Sequence, residues 1–293
     1  MAMEQEIHEI YLGPRDKSFE SLIRSVIKKG NLKPKYIDML TDEKSMDAYA
    51  TAFSAASADP DKNYEVFEQL GDLSGNKFIV SYAYRRFPQL NCALGVQVVA
   101  RLRIVYGSKA IFFKIAEDLG FWPYISAVET KHEKAGKKVK CRTKDKKDLL
   151  EDVFEAFLGA TEFLIDTRIR QGAGYAIVYD ILKGIFDDLD ISLEYSALVD
   201  AKTRIKELFD TFKKNPRLQH LGSLKYMNDR DEMLVTSTVY RVDEKGRRTK
   251  LGEGVAALQS DAEQRAAEQG LITMKREGYE KEVPQAYQQF CEN

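Results

Sequence analysis

Cysteine is scarce in this chain of 293 residues: Cys92, Cys141 and Cys291 are odd in number and far apart. That excludes a disulfide framework and a paired-cysteine metal site, and it suits a reducing, cytoplasmic setting. Seven prolines and eighteen glycines are too few for long disordered stretches. No apolar run reaches the roughly 18–20 residues that cross a bilayer, so no membrane partner is expected. The opening MAMEQEIHEIYLG lacks the basic-then-apolar order of a secretory signal. A strong charge of one sign is missing too. The 45 Lys and Arg balance 46 Asp and Glu, which argues against a uniformly basic, nucleic-acid-coating surface.

What is present is a large apolar supply and two short acidic runs. Forty-four percent apolar content, with fifteen Phe and fifteen Tyr, fills real cores, and the length suggests about two domains. The first run is Tyr64-Glu65-Val66-Phe67-Glu68-Gln69-Leu70-Gly71-Asp72. The second is Asp148-Leu149-Leu150-Glu151-Asp152-Val153-Phe154-Glu155-Ala156-Phe157. Glu65, Glu68 and Asp72 stand at i, i+3, i+7, and Asp152 and Glu155 at i, i+3, so each set shares one helix face. Like charges stacked this way repel, and burying them is costly unless a cation relieves them. A divalent metal with oxygen ligands is the natural relief. Taken singly, either set also reads as an exposed acidic helix face. Glu151 and Asp166 read as ordinary surface acids.

Along the chain, residues 18–58 read as short helices, 64–86 as one long helix, and 95–119 as helical. The polar segment 129–147 reads as a loop. Between Lys131 and Lys147 it carries nine Lys or Arg against only Glu133 and Asp145, either as a solvated loop or as an RNA contact. Helices are expected again at 147–170 and 175–189, so everything to about 190 looks helical. After about 198 the period changes. Residues 200–212 are helical, 233–242 are β-branched and read as a strand, Asp243-Glu244-Lys245-Gly246 is a hairpin turn, and 248–252 is a second strand. A final helix at 260–271 opens on Ser260 as its cap.

The two acidic runs carry a resemblance. The first is similar to the ribonuclease III signature N-E-R-L-E-F-L-G-D, continuing into Tyr84-Arg85-Arg86-Phe87-Pro88. The second, followed by Leu158-Gly159-Ala160, resembles that family's D-V-F-E-A-L-I-G-A. Asp200-Ala201-Lys202-Thr203-Arg204-Ile205-Lys206 and Gly252-Glu253-Gly254 resemble parts of a double-stranded RNA-binding domain. The resemblance implies an all-α nuclease domain, a helical bundle, followed by a small α+β domain of α-β-β-β-α order. The expected bounds are an N-terminal extension at 1–40, the catalytic domain at 41–192, an RNA-binding-like domain at 198–275 and a tail at 276–293.

What the resemblance implies for function is a homodimeric, Mg²⁺-dependent endoribonuclease that cuts double-stranded RNA with metal-activated water, Mn²⁺ substituting. Glu68, Asp72, Asp152 and Glu155 are the implied catalytic metal ligands. Glu65 is a further acid expected near substrate, and Lys137, Lys138, Lys140, Lys202, Thr203 and Lys206 are candidate RNA contacts. None of the three histidines, His8, His132 and His220, lies in either motif, as suits metal-and-water chemistry. Two other readings stand beside this one: a protein that sequesters duplex RNA, as a silencing suppressor would, and a non-catalytic assembly subunit.

The chain departs from the pattern in places. Gln69 stands where the family has a Phe that packs into the partner subunit, leaving Phe67 or Tyr64 to compensate. The lysine pair that opens the last helix of the RNA-binding domain is replaced by Gln259 and Ser260, with Asp261 beside them. The G-P-x-H loop is missing, and residues 225–232 take its place. Fewer phosphate contacts mean weaker binding and a flatter salt dependence. The expectation is a weak RNA grip in the C-terminal domain, or a role in assembly, with the basic run 131–147 supplying part of the attraction.

Overall fold

The computed structural model describes residues 7–134, 137–142, 145–231 and 233–290. It divides into two compact units, Met1–Ile191 and Ser192–Asn293.

The N-terminal unit starts with β1 (Ile7–Tyr11), α1 (Lys17–Lys28), α2 (Pro34–Leu40) and α3 (Glu43–Ala52). The long helix α4 (Glu65–Arg86) follows, then α5 (Gly95–Tyr106) and α6 (Lys109–Asp118). A hairpin of β2 (Ala127–Lys134) and β3 (Lys137–Arg142) leads into α7 (Lys146–Arg168) and α8 (Gly174–Phe186). α7 is the axis of the bundle. It is buried almost all round, from Leu149 to Ile165, as a helix enclosed on every side must be. Aromatic side chains fill the space about it: the ring of Phe154 lies 5.3 Å from Phe112, and that of Phe157 lies 5.8 Å from Phe121. Tyr49 is fully buried, and its hydroxyl meets Thr161 Oγ1 at 3.0 Å. The segment expected as an N-terminal extension adds Phe19, Ile23, Val26 and Ile27 to this same core. Arg15 pins it there, donating to the carbonyls of Tyr124 at 2.7 Å and Phe53 at 3.1 Å.

The helical bundle stands as expected, with one difference. Strands β1, β2 and β3 form an antiparallel sheet in that order, where the sequence read as helix and loop. Charged strands give little apolar alternation, so pattern reading takes them for a loop. The register nonetheless sets Glu129 opposite Arg142 and Glu133 opposite Lys138, opposite charges at facing positions.

The C-terminal unit holds α9 (Tyr195–Leu198), α10 (Ala201–Lys214), β4 (Ser223–Arg230), β5 (Val235–Val242), β6 (Arg248–Ala256), α11 (Gln259–Arg276) and α12 (Gln285–Gln288). The strands are antiparallel in order β4-β5-β6. Ile205, Leu208, Phe209 and Phe212 of α10 pack with Val239, Leu251, Ala266, Ala267 and Met274. The α-β-β-β-α order is as expected, with two corrections of detail. Residues aligned with the missing loop mostly form β4, whose burial alternates only at its start before four exposed positions; such a strand has little apolar pattern to read. α11 starts at Gln259 on an N-cap of Leu258 with no side-chain cap, so Ser260 does not cap it.

Candidate active site

The geometry of the site follows from a close crossing of α4 and α7. A Cβ on Gly71 would lie 1.7 Å from the carbonyl oxygen of Glu155, and one on Gly159 would lie 1.9 Å from that of Phe67. Only glycine permits this approach, so the two backbones nearly touch. Asp72 follows Gly71, and Glu155 stands one turn before Gly159. The crossing therefore brings the α4 acids up to the α7 acids.

Asp152 and Glu155 are buried on α7, at 4% and 6% exposure. On α4, Glu68 is half-buried while Glu65 and Asp72 are exposed. Burial and the surrounding charges of Glu151, Asp72, Glu68 and Asp152 push the Glu155 carboxyl up to about 9. The acids of both helices thus share one electrostatic environment. Among the described residues, no three His, Cys, Asp or Glu side chains stand together at metal-ligating distances. The charges of Glu68, Asp72 and Asp152 reach Glu155 without the four forming a closed ligand shell.

Neighbouring groups fix this cluster. Tyr64 is buried and donates its hydroxyl to Asp152 Oδ2 at 2.7 Å. Burial, that hydrogen bond and the charges of Glu68 and Glu65 all raise its pKa, so the phenol stays a donor. Pointing inward, Tyr64 is not a surface aromatic that replaces the Phe missing at position 69. Asn76 donates to Asp72 Oδ1 at 2.7 Å, and Ser74 donates to Glu162, tying α4 to α7 a turn further on. Lys109 of α6 reaches Asp148 at 2.8 Å and Glu151 at 2.7 Å. Burial alone lowers its pKa, but the two carboxylates raise it overall.

Sequence reasoning missed these supports. In the sequence Tyr64 reads only as an aromatic that compensates for Gln69, and Lys109 lies 39 residues from Asp148 with no local pattern linking them. Glu151 and Asp166 are not ordinary surface acids. Glu151 is held by Lys109, and Asp166 accepts from the Gly174 amide at 2.6 Å at the start of α8. In both cases the partner is distant in the fold or across a loop, which a helical-face count does not register.

The candidate RNA contacts are scattered. Lys137, Lys138 and Lys140 lie in β3, and their side chains fall outside the described part. Lys202 is ion-paired with Glu263, which also accepts from Asn228 at 2.9 Å and Gln259 at 2.8 Å. Thr203 gives its hydroxyl and amide to Asp200, the N-cap of α10, at 2.6 and 2.9 Å. Lys206 is exposed. These three share a surface cleft of about 410 Å³ between α10 and β4. Among the described residues no helix is long and apolar enough to cross a membrane.

The chain matches the Ribonuclease III domain family over residues 65–163, which span both acidic runs. It is 40% identical over 295 residues to a protein of Invertebrate iridescent virus 6 provisionally named ribonuclease 3, covering 96% of each chain. A Frog virus 3 protein with the same provisional name is 39% identical over 253 residues, 86% of this chain and 62% of that longer one. Ribonuclease 3 of Lactobacillus johnsonii is 31% identical over 248 residues, 84% of this chain and 97% of its own.

Proposed function

We propose a mechanism on one premise: this chain belongs to the ribonuclease III family. Membership makes it an endoribonuclease acting on double-stranded RNA. The hydrolytic centre in our reading is the set Glu68, Asp72, Asp152 and Glu155, which would hold Mg²⁺, with Mn²⁺ substituting. The observation that carries this is the mutual field of the four acids across the glycine-tight α4–α7 crossing. An all-oxygen, strongly anionic donor set fits a hard divalent ion. The exposed Asp72 and half-exposed Glu68 have room to rotate toward α7. Such an ion, when bound, supplies an activated water and offsets charge on the leaving oxygen.

The protein's own residues do the rest. Tyr64 orients Asp152 through its hydrogen bond. Asn76 orients Asp72. Burial of Asp152 and Glu155 keeps water away from their outer faces and strengthens every charge interaction in the site. Glu65 is exposed at the start of the α4 row, and in our reading it meets the substrate there.

Each subunit of a homodimer would cut one strand. Support comes from an exposed apolar row on α4, where Val66 is 72% and Leu73 is 69% exposed with Leu70 between them. That i, i+4, i+7 spacing is a helix-packing stripe. Gln69 lies exposed beside it. The C-terminal unit would grip duplex RNA weakly, since Lys202 is already engaged by Glu263. Duplex RNA is read by shape and phosphate, so modest contacts there suffice to position a substrate.

The test is a gel assay on labelled duplex RNA with and without Mg²⁺, comparing the wild type with Glu68→Gln and Asp152→Asn. Metal-dependent cutting lost in both variants is the expected result. Retention of uncut duplex without metal dependence would instead favour sequestration, and complete inertness an assembly role.

A further inference from the structure

The first two turns of α7 carry two acids, Asp148 and Glu151, that the four-carboxylate set leaves over. Lys109, the first residue of α6, places Nζ 2.8 Å from Asp148 Oδ1 and 2.7 Å from Glu151 Oε2. Those acids are three residues apart on one face, so a single ammonium spans both. Glu151 precedes Asp152 directly, and its side chain is only 14% exposed. It also stands within the electrostatic reach of Glu155. Released from Lys109, it is a fifth oxygen donor at the edge of the cluster. Mg²⁺ needs near-octahedral geometry and keeps several waters when few carboxylates bind it. An added carboxylate tightens binding while displacing water the reaction needs.

We infer that Lys109 is a positioning residue: by clamping Asp148 and Glu151 it holds Glu151 out of the cluster, leaving Glu68, Asp72, Asp152 and Glu155 to receive the divalent ion. The inference rests on the reading of those four acids given above. A purely structural tether would predict lost stability and nothing else. This role predicts opposite effects on ion affinity and on turnover.

The experiment compares full-length wild type, Lys109→Met, Glu151→Gln and the double variant. Mn²⁺ binding to protein freed of metal is followed by calorimetry, and cleavage of labelled duplex RNA is followed in Mg²⁺. Lys109→Met should bind Mn²⁺ about threefold to tenfold more tightly, because one neutralising charge is gone near an anionic site. Its kcat should fall about tenfold with KM for RNA unchanged, the pattern of a group that acts on the chemical step. The double variant should return both quantities to within about threefold of wild type, since the freed donor is removed with its clamp. Glu151→Gln alone should stay within about threefold as well, and it keeps the test decisive if Lys109→Met is poorly folded. Wild-type behaviour of a folded Lys109→Met, or failure of the double variant to recover, overturns the inference. So does a loss in Glu151→Gln as large as that in Glu155→Gln, which would make Glu151 itself a ligand. A wild type that neither binds Mn²⁺ nor cuts brings down the reading of the active site, and the inference with it. An active wild type beside a folded Lys109→Met whose Mn²⁺ affinity and kcat are unchanged brings down the inference alone.

Discussion

Replacing Glu155 by Gln should stabilise the metal-free protein, and only above mildly acidic pH. Burial and four neighbouring carboxylates push this group from its ordinary 4.5 up to about 9. In the unfolded chain the carboxyl ionises near 4.5, while in the folded protein it holds its proton. Stability from this group is therefore intact below about pH 4.5, falls as pH rises, and stops falling once the folded group ionises near 9. Each pH unit in that window is worth about 1.4 kcal/mol. At pH 7.5, three units above 4.5, the ceiling is about 4 kcal/mol. Rotation of the exposed α4 acids and an effective dielectric near 20 bring the expected gain to about 2 kcal/mol. For a unit the size of Met1–Ile191, that is a rise of about 4–8 °C in Tm. The assay is thermal unfolding in EDTA at pH 5, 6.5 and 8, wild type against Glu155→Gln. The gap should widen with pH. Added Mg²⁺ or Mn²⁺ should then raise the wild-type Tm and leave the variant nearly unmoved, because binding to the folded state alone adds stability. A gap that is equal at pH 5 and pH 8, or a variant less stable at pH 8, would refute the reasoning.

Three further outcomes follow from the same geometry. Gly159→Ala drives a methyl into the Phe67 carbonyl; it should cost about 3 kcal/mol in urea unfolding and abolish cleavage, and a normal midpoint would show that the crossing relaxes freely. Gln69→Arg places a charge beside Val66, Leu70 and Leu73; analytical ultracentrifugation should show a monomer that no longer cuts both strands, against an unchanged dimer if the stripe is not the contact. Deleting residues 195–293 should leave metal-dependent cleavage at low salt, since the whole carboxylate set lies in the first compact unit. A folded but inactive truncation would contradict that.

The motif acids were legible in the sequence because their spacing is helical and local. Glu68 and Asp72, or Asp152 and Glu155, share a face whatever the rest of the chain does. The glycines were visible as letters, but their purpose was not. Gly71 and Gly159 matter because two helices far apart in the chain cross there, and no local pattern encodes a crossing. The same holds for Lys109 and Tyr64, whose partners are long-range. The hairpin at β2 and β3 was hidden for another reason. Its residues are charged, and register rather than apolar alternation distinguishes a polar strand from a loop. The capping of α10 by Asp200 with Thr203 also went unread, because a hydroxyl on a lysine-rich helix face invites a ligand reading before a structural one.

The close crossing also accounts for why short side chains suffice. Helices packed on ordinary side chains stand 8–10 Å apart, and an aspartate reaches only a few ångströms from its backbone. With main-chain atoms of α4 and α7 in contact at Gly71 and Gly159, the short Asp72 side chain comes within the influence of Glu155. Folding must then hold like charges near one another. The apolar burial of α7 from Leu149 to Ile165 supplies the opposing stabilisation. The site is thus a patch of like charge at a close helix crossing, kept in place by the core together with the tethers of Tyr64, Asn76 and Lys109. Loosening that core anywhere along α7 should let the carboxylates separate before the domain unfolds, so activity should be lost at lower urea than helicity.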